Sequence, residues 1–133
     1  MSFADQLTLH TRAAVAQVYD LVSSYAPSSS STRTVRRNAA RPVDKPAGIT
    51  IAHEKSKDGK TINSVVILEQ TEIAPDNVTY GTLKVQMKIT YPVAVITSDH
   101  ILDKVHELVE FATTNDTFTF TETNAAKLKN LES

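Results

Sequence analysis

From Thr82 to Glu107 the chain reads TLKVQMKITYPVAVITSDHILDKVHE. This is a strand with strict two-residue alternation, then a proline, a capped helix start and an amphipathic helix. Successive side chains of a strand point to opposite faces, so Leu83, Val85, Met87 and Ile89 share one side. Thr82, Lys84, Gln86, Lys88 and Thr90 share the other. The pattern predicts a sheet with one apolar, buried face and one polar, basic face suited to a negatively charged partner. The helix that follows is the natural cover for the apolar face.

Other segments carry weaker signals of the same kind. Leu7 to His10 alternates like a short strand. Ala16 to Tyr25 also reads as a strand, because Val18, Tyr19 and Val22 are strand formers, although Val15, Val18, Val22 and Tyr25 fit helical spacing too. Pro27 to Ser31 is a serine-rich loop expected to break regular structure. Thr32 to Arg37 is β-prone and basic, and Asn38 to Gly48, with Pro42 and Pro46, reads as an extended connection. Ile49 to Glu54 alternates again, and Asp58-Gly59 in the turn that follows is a hairpin signal. Thr61 to Glu69 holds the apolar run Val65 to Leu68. Pro75-Asp76-Asn77 is the next turn, and the strand from Val78 to Tyr91 is expected to bend or break near Gly81. Ser98 is the natural N-cap of a helix from Asp99 to Ala112, whose apolar stripe is Ile101, Leu102, Val105, Leu108, Val109 and Ala112. Thr121 caps a short final helix. Strands followed by two helices make an α+β chain.

At 133 residues the chain has the size of one domain, 1–133. Within it we expect a hairpin region over 1–31, a sheet over 32–91 and helices over 98–133. A formal net charge of −1 gives no global pull toward nucleic acid or a membrane, so only local clustering can make that case. With no cysteine there are no disulfides and no thiolate metal ligands. The first ten residues lack the basic start and apolar run of a secretion signal. No apolar stretch approaches the ~20 residues that span a bilayer. We therefore expect a soluble, cytoplasmic chain. One good helix and one short one cover little of a five-stranded sheet, and a chain this size buries only ~65–70% of its unfolded surface. Sharing sheet and helices with a second copy solves the shortage, so an obligate homodimer is expected.

Candidate chemistry is sparse. His100 and His106 point away from each other on one helix, whereas metal ligands on a helix need three- or four-residue spacing. Asp99, Asp103 and Glu107 have that spacing, but they also describe a plain solvated helix face. Three glycines leave little room for a phosphate-cradling loop, and no nucleophile elbow or zinc motif is present. We expect no catalytic residues, no metal, no cofactor and no enzymatic activity. The polar strand face remains. Lys84, Gln86 and Lys88 recur every second residue, placing their tips about 6.5–7 Å apart. That approximates phosphate spacing and would give salt-dependent, sequence-tolerant affinity. Thr50, Lys60 and Ser64 can add contacts from neighbouring strands. The alternative is an ordinary solvated sheet face. Arg33, Arg36 and Arg37 form a second basic cluster, or equally the charges that blunt an edge strand.

These segments, taken in order, resemble the coat proteins of single-stranded RNA bacteriophages of the levivirus type. The resemblance is carried by the alternating strand ending in Thr90-Tyr91-Pro92-Val93, then Thr97-Ser98-Asp99 opening a helix of Ile/Leu/Val periodicity. Ile49-Thr50-Ile51 with the Lys55-to-Lys60 turn is similar to the family's preceding hairpin. Val35-Arg36-Arg37-Asn38 and the ending from Leu128 to Ser133 also look like members of that group. The likeness covers roughly residues 32–133.

The resemblance implies an N-terminal β-hairpin, a five-stranded antiparallel sheet and two C-terminal helices. Two such subunits join their sheets edge to edge, interlock their helices as a dimer, and build an icosahedral shell with the sheet facing genomic RNA. The loop around Glu72 to Val78 then lies at the shell's symmetry axes. In the best-known relatives the inner face also binds an RNA hairpin and represses translation. By position, Thr50, Ser64 and Gln86 match residues that contact RNA in that family, and Lys84 and Lys88 share the last strand's inner face. Ala52, Glu54 and Val66 depart from the pattern, and Glu54 would repel phosphate, which favours general packaging over a specific hairpin pocket. The implied partners are a second copy and single-stranded RNA, with no membrane, and the implied place is the virion capsid, assembled in the bacterial cytoplasm. The rival reading is a cellular α+β dimeric binding module that offers the same sheet face to a small molecule or peptide.

Overall fold

The computed structural model describes residues 4–11 and 14–113, in two compact units, Met1–Val93 and Ala94–Ser133. The first is a single antiparallel sheet of six strands in sequence order: β1 (Gln6–His10), β2 (Ala16–Ser28), β3 (Ser31–Arg37), β4 (Ala47–Lys55), β5 (Thr61–Ile73) and β6 (Tyr80–Pro92). The N-terminal hairpin expected as a separate piece is the start of this sheet, because β2 continues and pairs with β3 from Asp20↔Arg37 to Ser28↔Ser31. Pro27 does not stop β2. It lies in the irregular stretch between Tyr25 and Ser28, where the ladder needs no donor from it. Only Ser29 and Ser30 separate β2 from β3, and the hydroxyls of Ser28 and Ser31 meet at 2.8 Å across that turn.

The connection from Asn38 to Pro46 is folded into turns rather than extended. Arg41 N donates to Asn38 O at 3.3 Å and Lys45 N to Pro42 O at 3.1 Å. Arg41 then reaches β5, donating to Thr71 O at 2.9 Å and to Glu72 Oε1 at 2.7 Å. This guanidinium, with Gln70, holds the Glu72 carboxyl below its usual range. The Asp58-Gly59 turn forms as expected, with Gly59 in the left-handed region at φ 70°. Gly81 causes no break, since β5 and β6 pair without a shift from Thr61↔Pro92 to Ile73↔Tyr80.

The apolar face behaves unevenly. Tyr19, Ala47, Ile49 and Ile51 are buried, with Leu7, Val66 and Leu68 packed against them. Arg36 is also buried there, at 1% exposure, because its register partner is Ile49. Its Nε and Nη2 donate to Ala4 O at 3.1 and 2.7 Å, and its Nη1 to Thr34 Oγ1 at 2.9 Å. These bonds fasten the residues before β1 to β3. Toward β6 the same face stands open: Leu83 is 64% exposed and Val85 57%.

The second unit contains α1 (Ser98–Thr113). Thr97 rather than Ser98 caps it. Thr97 O accepts from Ile101 N at 3.3 Å, and Thr97 Oγ1 accepts from His100 N at 3.4 Å. The expected apolar stripe is present, yet no residue of α1 is buried, and Leu102, Leu108, Val109 and Phe111 are all exposed. The short helix expected from Thr121 lies outside the described residues. Among those residues no helix is long and apolar enough to cross a membrane.

Candidate nucleic-acid interface

Register fixes which residues share the polar face. Gln86 pairs with Ile67, Ile67 with Thr50, and Thr50 with Val35, which makes one row across four strands. On one side of it runs the row Lys88, Val65, Ala52 and Arg33, and on the other Lys84, Glu69, Gly48 and Arg37. Beyond Lys88 come Thr90, Asn63 and Glu54. The sequence-derived residues Thr50, Lys84, Gln86 and Lys88 are therefore brought together on one surface.

Ser64 is not among them. It pairs with Ile89 and His53, so it stands on the apolar face, where its hydroxyl lies 2.8 Å from His53 Nδ1. Asn63, its neighbour, occupies the polar face instead and accepts from Thr90 Oγ1 at 2.7 Å. Lys60 sits in the β4–β5 turn, beyond the rows. Its backbone closes the end of the sheet, its carbonyl accepting from Val93 N at 2.9 Å. Asp58 organises that turn by accepting from Ser56 Oγ and Lys60 N, bonds that keep its carboxyl below the ordinary range. The basic cluster of β3 also divides, since Arg33 and Arg37 lie on the polar face and Arg36 is buried on the other.

Charge on the polar face is mixed rather than uniformly basic, with Glu54 and Glu69 among Arg33, Arg37, Lys84 and Lys88. Lys84 Nζ lies 2.8 Å from Glu69 Oε1, and Glu54 adds a second carboxylate near Asn63. Between Arg33 and Lys88 the surface dips into an open cleft of about 350 Å³, floored by Ala52 and Val65 and rimmed by Pro27, Glu54 and Asn63. Cations at its rim and apolar carbon on its floor suit a flat ring attached to a phosphate. The cleft residues Asn63 and Val65 escape a reading by alternation alone, because the run Val65-Val66-Ile67-Leu68 is apolar on both faces and carries no phase. Counting outward from the Asp58-Gly59 turn supplies the phase, since it sets Glu54 opposite Asn63. Among the described residues no cluster of His, Asp and Glu could hold a metal ion.

This geometry matches solved structures over nearly the whole chain. The bacteriophage EMS014 coat protein superposes with a TM-score of 0.65 at 12% identity, covering 98% of both chains. The fold is that of a bacteriophage coat protein. The virus-like particle of bacteriophage AVE015 gives a TM-score of 0.54 at 18% identity, over 98% of this chain and 85% of the other. No family model and no curated protein sequence matches the chain. At 12% and 18% identity the likeness is one of fold.

Proposed function

We propose that this chain is the capsid subunit of a single-stranded RNA bacteriophage, a non-enzymatic protein that dimerises, assembles into an icosahedral shell and packages RNA against its polar sheet face. The observation that carries the reading is the shared fold over 98% of both this chain and the EMS014 coat protein. The second match, described as a virus-like particle, points to assembly as the use of that fold.

The exposure pattern supports dimerisation. Leu83 and Val85 on β6 and Leu102, Leu108 and Val109 of the α1 stripe are exposed in the single chain, and clustered exposed apolar side chains on one element suit a protein interface. The polar face supports RNA as cargo through Lys84, Lys88, Arg33 and Arg37, with Thr50 and Gln86 as neutral donors and acceptors between them. Glu54 and Glu69 temper that face, so the affinity is sequence-tolerant and sensitive to salt. In this reading the cleft between Arg33 and Lys88 accepts an unstacked base of the packaged strand, while Glu54 at its rim works against a phosphate-clamping pocket for one specific hairpin.

Expression of the chain in bacteria, followed by size-exclusion chromatography and electron microscopy, tests the proposal. Shell-sized particles carrying host RNA are expected. A discrete small oligomer free of nucleic acid would overturn it and favour the binding-module reading.

A further inference from the structure

The polar face does not end at β3. β2 stays in the sheet as far as Ser28, and its register sets Ser23 opposite Val35 and Tyr25 opposite Arg33. Directly opposed residues of an antiparallel pair share one face, with Cβ atoms about 4.5–5.5 Å apart. Tyr25 therefore extends the row of Arg33, Ala52, Val65 and Lys88 by one strand. That extension lies on the segment the sequence pattern set apart as an N-terminal hairpin.

The chemistry changes at each step along this row. A tyrosine ring comes first, then a guanidinium, then the apolar floor of the cleft, then an ammonium group. Tyr25 is 48% exposed, and among the described residues its side chain takes no part in a hydrogen bond or ring contact. Tyr80 supplies a comparison on the same face. It is 52% exposed, but it stands at the far end of β6 opposite Ile73, and among the described residues no cation shares its row. Tyr19 and Tyr91 belong to the apolar face.

Spacing decides what such a row can hold. Neighbouring strands lie about 4.8 Å apart, so Tyr25 and the middle of the cleft floor, two and a half strands away, are separated by ~12 Å. Successive nucleotides of a stacked strand rise only about 3.4 Å. Bases held at both places are therefore splayed apart, and the backbone joining them passes Arg33, whose charge suits its phosphates. A duplex keeps its bases paired and stacked, so it cannot occupy both places.

We propose that Tyr25 is a base-stacking platform for packaged RNA, acting with Arg33 and the cleft to hold unstacked bases of a single strand. This rests on the RNA-packaging function proposed above. It adds a stacking residue on β2 and a preference for single-stranded over double-stranded segments. Stacking uses a ring face rather than a charge, so the contact tolerates any base and adds nothing to the salt dependence.

The test uses the full chain freed of host nucleic acid and a short fluorescein-labelled oligouridine, with binding read by anisotropy over a salt series. Tyr25→Leu is expected to weaken binding about tenfold without changing the slope of log affinity against log salt. Tyr25→Phe keeps the ring and Tyr80→Leu removes the comparison ring, and both are expected to bind like the unaltered chain. Arg33→Gln is expected to lower the slope by about one. The duplex of the same probe with oligoadenine is expected to bind Tyr25→Leu and the unaltered chain alike. An equal loss on duplex and single strand would overturn the single-strand preference. Unchanged affinity of Tyr25→Leu for oligouridine would overturn the stacking role, and the RNA reading stands if Lys88→Glu still weakens binding. If the unaltered chain does not bind oligouridine at low salt, the RNA reading itself falls. Photocross-linking of the unaltered chain to oligouridine carrying 5-iodouridine needs no variant to fold. Mass spectrometry is expected to place an adduct on Tyr25, and adducts confined to other residues would overturn the proposal.

Discussion

Lys84 Nζ lies 2.8 Å from Glu69 Oε1, directly across the β5–β6 ladder on the face that also carries Gln86 and Lys88. Both side chains are about half exposed, so the pair contributes less than about 1 kcal/mol to folding. If the polar face binds RNA as proposed, the pair's effect falls on that binding, because phosphate must compete with Glu69 for Lys84. Lys88 has no carboxylate within ion-pair range among the described residues. Lys88→Glu is therefore expected to lower packaged RNA more than Lys84→Glu, and Glu69→Gln to raise RNA retention as salt increases. Absorbance ratios of purified particles, measured across a salt series, check the order of the three variants.

Ser64 and Asn63 are adjacent in sequence but belong to opposite faces. Ser64→Ala is expected to leave RNA content unchanged while costing about 1 kcal/mol through the lost bond to His53. Asn63→Ala is expected to do the reverse, lowering RNA content with a smaller effect on stability. Urea denaturation of each variant beside its particle absorbance separates the two outcomes.

Arg36 is the most deeply buried large side chain among the described residues, and its guanidinium occupies the Ala4 carbonyl with two donors. Arg36→Leu keeps most of the volume but leaves that carbonyl without those donors. The expected loss is about 2 kcal/mol or more. Limited proteolysis should then cut ahead of β1 sooner than in the unaltered chain, and a thermal melt gives the size of the loss.

Acid sensitivity has a local source in the β5–β6 turn. Asp76 accepts from Thr79 Oγ1 at 2.6 Å and from the backbone N–H groups of Thr79 and Val78, which pull its carboxyl down to about 2 from an ordinary 3.8. The bonded form is the charged one. Its contribution is therefore complete above the ordinary value and is lost as pH falls from about 4 toward 2. Melting temperatures of the unaltered chain and of Asp76→Asn should differ at pH 6 and converge near pH 2. A gap that stays constant with pH would contradict this assignment.

The strands β4 and β6 are legible in the sequence because their apolar and polar residues alternate strictly, and one buried face fixes the phase. β2 is harder to read. Its helical alternative at Val15, Val18, Val22 and Tyr25 is settled by pairing with β1 and β3, which spacing within β2 does not encode. Pro27 and Gly81 are both readable as stops, yet a bulge absorbs the first and an outer strand tolerates the second. The cap of α1 shifts from Ser98 to Thr97 by one residue, within the ambiguity of the run Thr97-Ser98-Asp99. At the candidate interface, Lys84, Gln86 and Lys88 follow from alternation alone. Their neighbours do not, because Arg33, Asn63, Val65 and Glu69 join them through register across three strands. That information lies in the turns rather than in the strands.

Few apolar side chains are buried within the described residues of a single chain: Tyr19, Ala47, Ile49 and Ile51. If a second copy supplies the rest of the core, stability becomes a function of protein concentration, as it is for any obligate dimer. Dilution would then act as a denaturant, and a newly made subunit would be durable only once enough others had been translated around it. Abundance itself would gate the start of particle formation.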